Sequence, residues 1–145
     1  MRALLVGAAL ALAAISPACA QAQQGGGDLA GTWAYQTLDY GNEQAVVAMS
    51  GVAIMTPAAP GRYDIQLIAN ELIAARGGGN QQIITARQNC TGQQSGGQFD
   101  ISCQMAEEVE GYSPDNFVLQ QVEPRKLEGV LASAATGQVT FTRVR

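Results

Sequence analysis

The chain has 145 residues, of which twelve are acidic, eight are basic and none is histidine, so its formal net charge is −4. This length suits one domain with a modest core and leaves no room for two. The acidic balance and the scattered basic residues argue against nucleic acid and anionic membrane surfaces as partners, and the lack of histidine removes the commonest general base.

Residues 1–20 have the pattern of a secretory signal peptide. Arg2 supplies a basic start, an uncharged apolar run follows, and Ala18-Cys19-Ala20 is a small-residue cleavage site. The apolar run is too short for a comfortable membrane span, so we expect no transmembrane span in the mature chain. Cleavage after Ala20 predicts a periplasmic or secreted protein. The alternative is a lipoprotein anchored through Cys19, since a small residue before a cysteine also ends bacterial lipoprotein signals.

The rest of the chain is predicted to form a short flexible segment followed by one β domain. Residues 21–27 are rich in glutamine and glycine and predict a flexible segment, and residues 28–145 predict a single domain. No stretch in that domain is long enough for a crossover helix, so its strands are expected to be antiparallel. Its apolar residues fall in eight runs: 33–37, 45–55, 63–67, 84–90, 99–105, 117–119, 127–131 and 139–143. We predict an eight-stranded antiparallel up-and-down barrel, which leaves no open edge, with a β-sandwich as the alternative.

Two stretches interrupt this pattern. Gly51 lies within the second run and indicates a β-bulge or bend there. Residues 70–77 begin with Asn70 and end with Gly77, which are suitable residues for the two caps of a short helix. The same residues also fit an extension of the preceding strand, and both alternatives stay open.

The fourth and fifth runs form a predicted hairpin. A two-residue turn at Gly96-Gly97 places Ser95 opposite Gln98, because glycine accepts the backbone angles that such turns require. Counting outward from that turn, Cys90 lies directly opposite Cys103. We therefore predict a Cys90–Cys103 disulfide, with two buried free thiols as the alternative.

Few residues in the sequence indicate catalysis, cofactor binding or metal binding. The sequence has no nucleophile elbow, phosphate loop or dinucleotide-binding motif, so we predict a protein that is not an enzyme and holds no cofactor and no metal. The acidic stretch of residues 107–115 offers oxygen ligands for calcium but lacks the spacing of a calcium loop, and a solvated loop is the favoured interpretation. Three methionines either line a lipophilic pocket or fill the core, and core filling is favoured: Met49, Met55 and Met105.

Both ends of the β domain resemble those of a known superfamily. Gly31-Thr32-Trp33 opens the first strand and Phe141-Thr142-Arg143 lies on the last, which is similar to the calycins, the lipocalins and their relatives. The resemblance implies that Gly31, Trp33, Phe141 and Arg143 close the barrel, with the arginine over the tryptophan ring. Lipocalins are longer, usually carry a helix after the barrel and have a Thr-Asp-Tyr signature, which this sequence lacks. The stretch Leu29-Ala30-Gly31-Thr32-Trp33 also resembles the start of small secreted barrel inhibitors of bacterial metalloproteases.

These observations lead to two functional hypotheses. The first is an exported, non-enzymatic barrel that binds a small apolar ligand in its mouth. The second is a protein-binding module of the cell envelope or a protease-inhibitor-like barrel. A ligand binder needs an open cavity, whereas an inhibitor-type barrel is filled by its own side chains.

Overall fold

A computed structural model describes residues 28–144. Within that range the protein is all-β: eight strands form a closed antiparallel barrel and one short strand lies outside the ring. The predicted signal peptide, its cleavage after Ala20, the lipid anchor at Cys19, the flexible segment 21–27 and Arg145 lie outside the described residues. The strands are β1 (Gly31–Thr37), β2 (Tyr40–Gly41), β3 (Ala45–Ala59), β4 (Arg62–Ala75), β5 (Gln81–Ser95), β6 (Gln98–Met105), β7 (Asn116–Glu123), β8 (Lys126–Ala132) and β9 (Thr136–Arg143).

The barrel closes through β1, which pairs with both β3 and β9. Tyr35 lies opposite Gly51 on one side and opposite Phe141 on the other. Every other strand of the ring pairs with its sequence neighbour, and β2 pairs with β3 outside the ring. The predicted up-and-down barrel is confirmed, and the sandwich alternative is not adopted.

Alternation of apolar and polar residues determines which side chains face inward. On β4, for example, Tyr63, Ile65 and Leu67 are buried between exposed Asp64 and Gln66, as the period of two along a strand requires. Interior side chains from all eight ring strands make one continuous hydrophobic core. The barrel is thus packed by its own side chains over most of its length.

Residues 70–77 are predicted to form either a short helix or an extension of the preceding strand, and the structure shows the strand extension. β4 continues to Ala75, and Leu72 lies opposite Ile83 of β5. The cap residues suit a helix, but pairing with both neighbouring strands satisfies the backbone groups of this stretch instead.

The prediction of a bulge at Gly51 is wrong. The β3–β4 register runs through Gly51 without a shift, and the irregularity lies between Pro57 and Ala59. A Cβ atom on Gly51 would lie 2.0 Å from the Ile68 carbonyl oxygen and 2.6 Å from Cε1 of Tyr35. Glycine is required here because a carbonyl oxygen of the neighbouring strand and the tyrosine ring both occupy the space that a side chain would need.

The central hairpin has the predicted register. Ser95 lies opposite Gln98, Cys90 lies opposite Cys103, and the two cysteines form a disulfide. Of the two turn glycines, Gly96 and Gly97, only Gly96 has a positive φ, at 61°. The turn therefore depends on glycine at its first central position and not at both.

Removing this crosslink is expected to destabilise the fold without changing it. The double variant Cys90→Ala/Cys103→Ala should lower the free energy of unfolding by about 3 kcal/mol, because the unfolded chain gains the entropy of an open loop. Urea denaturation of the oxidised protein and of the variant measures the difference. Equal stability would show that the disulfide does not form in the folded protein.

The end of the barrel at which β1 begins is sealed by the residues that precede β1. Trp33 is fully buried, and its Nε1 donates a hydrogen bond of 2.9 Å to the Leu29 carbonyl oxygen. The Leu29 amide donates to the Tyr63 hydroxyl at 3.2 Å. The Arg143 guanidinium donates to the carbonyl oxygens of Asp28 and Ala30, and its carbon lies 5.2 Å from the centroid of the Trp33 ring.

The other two residues named for closure lie on the same strands. Gly31 begins β1 opposite Met55 with a φ of 128°, a value that L side chains rarely adopt. Phe141 of β9 is fully buried and stacks on Tyr35 with ring centroids 4.8 Å apart. The structure therefore brings all four residues to the seam where β1 meets β9 and β3.

Truncation at this seam tests whether the arginine and the tryptophan act together. Trp33→Ala should cost about 3–5 kcal/mol of unfolding free energy through the cavity it leaves. Arg143→Ala should cost about 1 kcal/mol, since a half-exposed cation–π contact is weak. A double-mutant cycle by urea denaturation should show coupling between the two residues. Additive effects would mean that the arginine acts only through the carbonyl groups it binds.

Candidate ligand site at the barrel mouth

A pocket of about 120 Å³ lies at the end of the barrel opposite the seal. This end, the mouth, carries the connections 38–44, 76–80, 106–115 and 133–135 between the ring strands. The pocket has both polar and apolar walls. Its lining includes Tyr40, Val47, Met49, Glu71, Ile73, Tyr112, Asp115 and Ser133.

Asp115 is the central polar residue of the mouth. It has no exposed surface, and its Oδ2 accepts hydrogen bonds from Gln88 Nε2 at 2.5 Å and from the Tyr112 hydroxyl at 2.7 Å. Its amide donates to Gln88 Oε1 at 2.8 Å. The amide group of Gln88 thus ties the end of the connection 106–115 to the inside of β5.

The other carboxylate oxygen of this residue is not paired. Among residues 28–144, no hydrogen-bond partner is found for Asp115 Oδ1, although the atom is buried. Ser133 is close enough to influence the Asp115 carboxyl group, but its hydroxyl lies 3.0 Å from the Pro114 carbonyl oxygen and 3.3 Å from that of Ser113. A hydroxyl has a single proton to donate, so Ser133 bonded to a carbonyl leaves Oδ1 unpaired.

A second carboxylate, that of Glu71, lies in the same wall. Glu71 is half-buried on β4, and its Oε1 accepts a hydrogen bond of 3.4 Å from the Tyr40 hydroxyl. Tyr40 belongs to β2, the strand outside the ring, so this strand supplies a side chain to the mouth. The two carboxyl groups are near enough to interact electrostatically.

The electrostatics of the mouth disfavour negative charge. Burial raises the pKa of Asp115 above its ordinary value, and the hydrogen bonds from Tyr112 and Gln88, together with the nearby Ser133 hydroxyl, offset only part of that rise. Burial and the nearby Asp115 likewise raise the pKa of Glu71. No arginine or lysine is among the pocket residues of the described chain. Two partly desolvated carboxyl groups therefore share this site without a positive partner.

Tyrosine hydroxyls and apolar side chains complete the walls. Burial raises the pKa of Tyr40 and of Tyr112, with the carboxyl groups adding to the rise, so both hydroxyls stay neutral hydrogen-bond donors. Val47, Met49 and Ile73 give the pocket its apolar side. The arrangement can hold a small group that is polar at one end and apolar at the other.

The structure separates the acidic stretch into two environments. Glu107, Glu108 and Glu110 are exposed, as expected for a solvated loop, but Asp115 is buried. The solvated-loop interpretation is therefore wrong for Asp115, because the connection 106–115 folds back onto the barrel interior. Met49 and Met55 are buried in the core, and Met105 is partly buried against it.

Sequence reasoning missed the residues that form the site. Gln88 offered a signal: it occupies an inward position between buried Ala86 and Cys90, where an apolar residue is expected. A polar side chain at such a position needs a partner, and that partner is Asp115. Glu71 likewise follows buried Ala69 at an inward position of β4.

Comparisons with known proteins bear on the fold. No family model and no curated protein matches the sequence. A redesigned β-barrel matches with a TM-score of 0.58 and 13% identity over 81% of this chain and 92% of that one. A de novo designed fluorescence-activating β-barrel matches with a TM-score of 0.53 and 16% identity over 84% of this chain and 96% of that one. Likeness at such low identity shows the closed β-barrel fold alone.

No helix in the range 28–144 has the length and apolar character needed to cross a membrane.

The buried carboxyl group predicts a particular pH dependence of stability. Because the folded-state pKa of Asp115 lies above its unfolded value of 3.8, the folded protein binds this proton more tightly. Its contribution to the free energy of unfolding is present below pH 3.8 and is lost as the pH rises through the folded-state pKa. Urea denaturation at a series of pH values should show this decline, and Asp115→Asn should make it shallower.

A matched control removes a carboxyl group from the outer face. Asp64→Asn should keep the decline, because Asp115 is still present. If Asp115→Asn and the native chain have the same slope, burial does not hold the Asp115 pKa above its ordinary value.

Proposed function

We propose that this chain is a non-enzymatic barrel that binds a small molecule at its mouth. The observation that carries the proposal is a buried carboxylate oxygen, Asp115 Oδ1, that has no hydrogen-bond partner among the described residues and belongs to a residue of the pocket wall. Leaving such an atom unpaired costs free energy, so a ligand that supplies a hydrogen-bond donor would gain from filling the site.

The size and lining of the pocket limit the ligand. A volume of about 120 Å³ is smaller than the roughly 300–1,000 Å³ typical of sites for drug-sized ligands. The ligand is therefore small, with an apolar part against Val47, Met49 and Ile73. The small apolar ligand expected from the sequence fits this wall, provided that it also carries a polar group for Asp115.

The remaining parts of the proposal concern chemistry, relatives and compartment. The mouth offers carboxyl and tyrosine hydroxyl groups without an activated nucleophile, which favours binding over catalysis. The contact of Arg143 with Trp33 supports kinship with the calycins. The Cys90–Cys103 disulfide supports export to the periplasm or beyond, since disulfides persist in oxidising compartments.

A second candidate, a protein-binding module of the cell envelope, is favoured by the outer surface. β5 pairs with β6 only from Gln88 onward, so among the described strands none pairs with the outer edge of residues 81–86. Ile83 on this stretch is 69% exposed. An open strand edge beside exposed apolar side chains can accept a strand from a partner protein.

Nuclear magnetic resonance tests the first candidate. Titration of the oxidised chain with a mixed set of small polar-apolar molecules should shift amide signals of Met49, Glu71 and Tyr112. Val47→Phe should abolish these shifts by filling the pocket, whereas Val118→Phe on the outer face should leave them unchanged. Shifts confined to the edge 81–86, or none at the mouth, would contradict binding at the mouth.

A further inference from the structure

We infer that the mouth recognises a primary ammonium group on a short alkyl chain, placed against the carboxylates of Glu71 and Asp115. The inference rests on the proposed function and names the class of ligand that this site takes. The same chemistry is carried by free alkylamines and by the lysine side chain of a partner protein, and the experiment separates these two sources.

Charge is the first argument. Glu71 and Asp115 both line the pocket and interact electrostatically, and each is partly removed from water. Without a cation, their negative charges oppose one another, and the pocket residues include no lysine or arginine to neutralise them. A positively charged ligand removes this repulsion, whereas a carboxylate ligand increases it.

Hydrogen-bonding capacity is the second argument. An ammonium group has three donors and no acceptor. The mouth provides acceptors to match: Oδ1 of Asp115, which lacks a partner among residues 28–144, and the carboxylate of Glu71, which receives one long hydrogen bond of 3.4 Å from Tyr40. Asp115 exposes no surface, and Tyr112 and Ser133 adjoin it in the wall, so the ammonium group reaches Oδ1 only if one of these two side chains rotates away.

The number of possible ligand groups and the size of the pocket favour an organic cation over a metal ion. Calcium takes about six to eight oxygen ligands, and magnesium takes about six at near-ideal octahedral geometry. Among residues 28–144, no group of three or more acidic or cysteine side chains is placed to hold a metal ion. About 120 Å³ corresponds to roughly four water molecules of liquid volume, which suits a short alkylammonium ion.

The apolar wall accounts for the rest of such a ligand. Val47 and Ile73 lie where β3 and β4 pair with each other, and Met49 lies deeper in the same wall. An alkyl chain of a few carbons can pack against these three side chains while its ammonium group contacts the carboxylates. Because so few atoms are buried, we expect affinity in about the millimolar range.

The test compares four probes by nuclear magnetic resonance titration near neutral pH: n-butylammonium, n-butanol, butanoate and Nα-acetyl-lysine amide. n-Butylammonium should bind at least about tenfold more tightly than n-butanol, corresponding to one charge interaction of about 1.4 kcal/mol. Butanoate should not bind. Binding of the lysine derivative as well would identify a protein side chain as an equivalent source, and its exclusion would assign the site to free amines.

Two variants test whether the carboxyl groups of the mouth cause the preference for the ammonium ion. Asp115→Asn and Glu71→Gln should each reduce the preference for n-butylammonium over n-butanol by about tenfold, while Asp64→Asn on the outer face should retain it. Glu71→Gln keeps the test valid if Asp115→Asn does not fold, since Glu71 is only half-buried.

The outcomes separate this inference from the proposed function. Equal binding of n-butanol and n-butylammonium, tighter binding of butanoate, or selectivity that survives both carboxyl substitutions would overturn the ammonium assignment and leave small-ligand binding at the mouth intact. Absence of shifts at the mouth with all four probes would overturn both.

Discussion

The barrel depends on β1, the strand that closes the ring. Only seven residues long, it pairs with β9 on one edge and with β3 on the other, so without it both neighbours would expose open edges. The same strand carries Trp33 and Tyr35, which fill the interior at successive inward positions. Closure and core packing therefore rest on the same residues, and the Tyr35 ring and the Ile68 carbonyl oxygen leave no room for a side chain at Gly51.

Closure makes the two ends of the barrel different. At one end the residues before β1 cross over Trp33, and the Arg143 guanidinium holds their carbonyl groups. At the other end the connection 106–115 folds inward and is held by Gln88 through Asp115. Each arrangement leaves one buried polar atom without a partner in the described chain, Nε of Arg143 at the first end and Oδ1 of Asp115 at the second. Asp115 is also part of the pocket lining at the mouth. At the mouth, a ligand that supplies a hydrogen-bond donor would recover part of the free energy that this burial costs.

The local signals in the sequence predicted the barrel well. Alternation at Tyr63, Ile65 and Leu67 identified an inward face, and the glycine turn aligned Cys90 with Cys103. Residues 70–77 showed the limit of such signals, since cap residues cannot reveal that strands on both sides will pair with this stretch. The residues that form the pocket at the mouth could not be predicted for the same reason. Asp115 is buried by a contact with Gln88, 27 residues earlier, and nothing local to Asp115 indicates it. The signals present in the sequence were the two polar residues at inward strand positions, Gln88 of β5 and Glu71 of β4.

The most direct test of this account is the pKa of the Asp115 carboxyl group, followed through its carbonyl ¹³C signal during a pH titration. Without ligand, the pKa should lie above the ordinary value of 3.8, because burial disfavours the charged form. With saturating n-butylammonium the pKa should fall, since a neighbouring positive charge favours the carboxylate. An identical titration with and without the ammonium ion would contradict the assignment of this residue to a ligand site at the mouth.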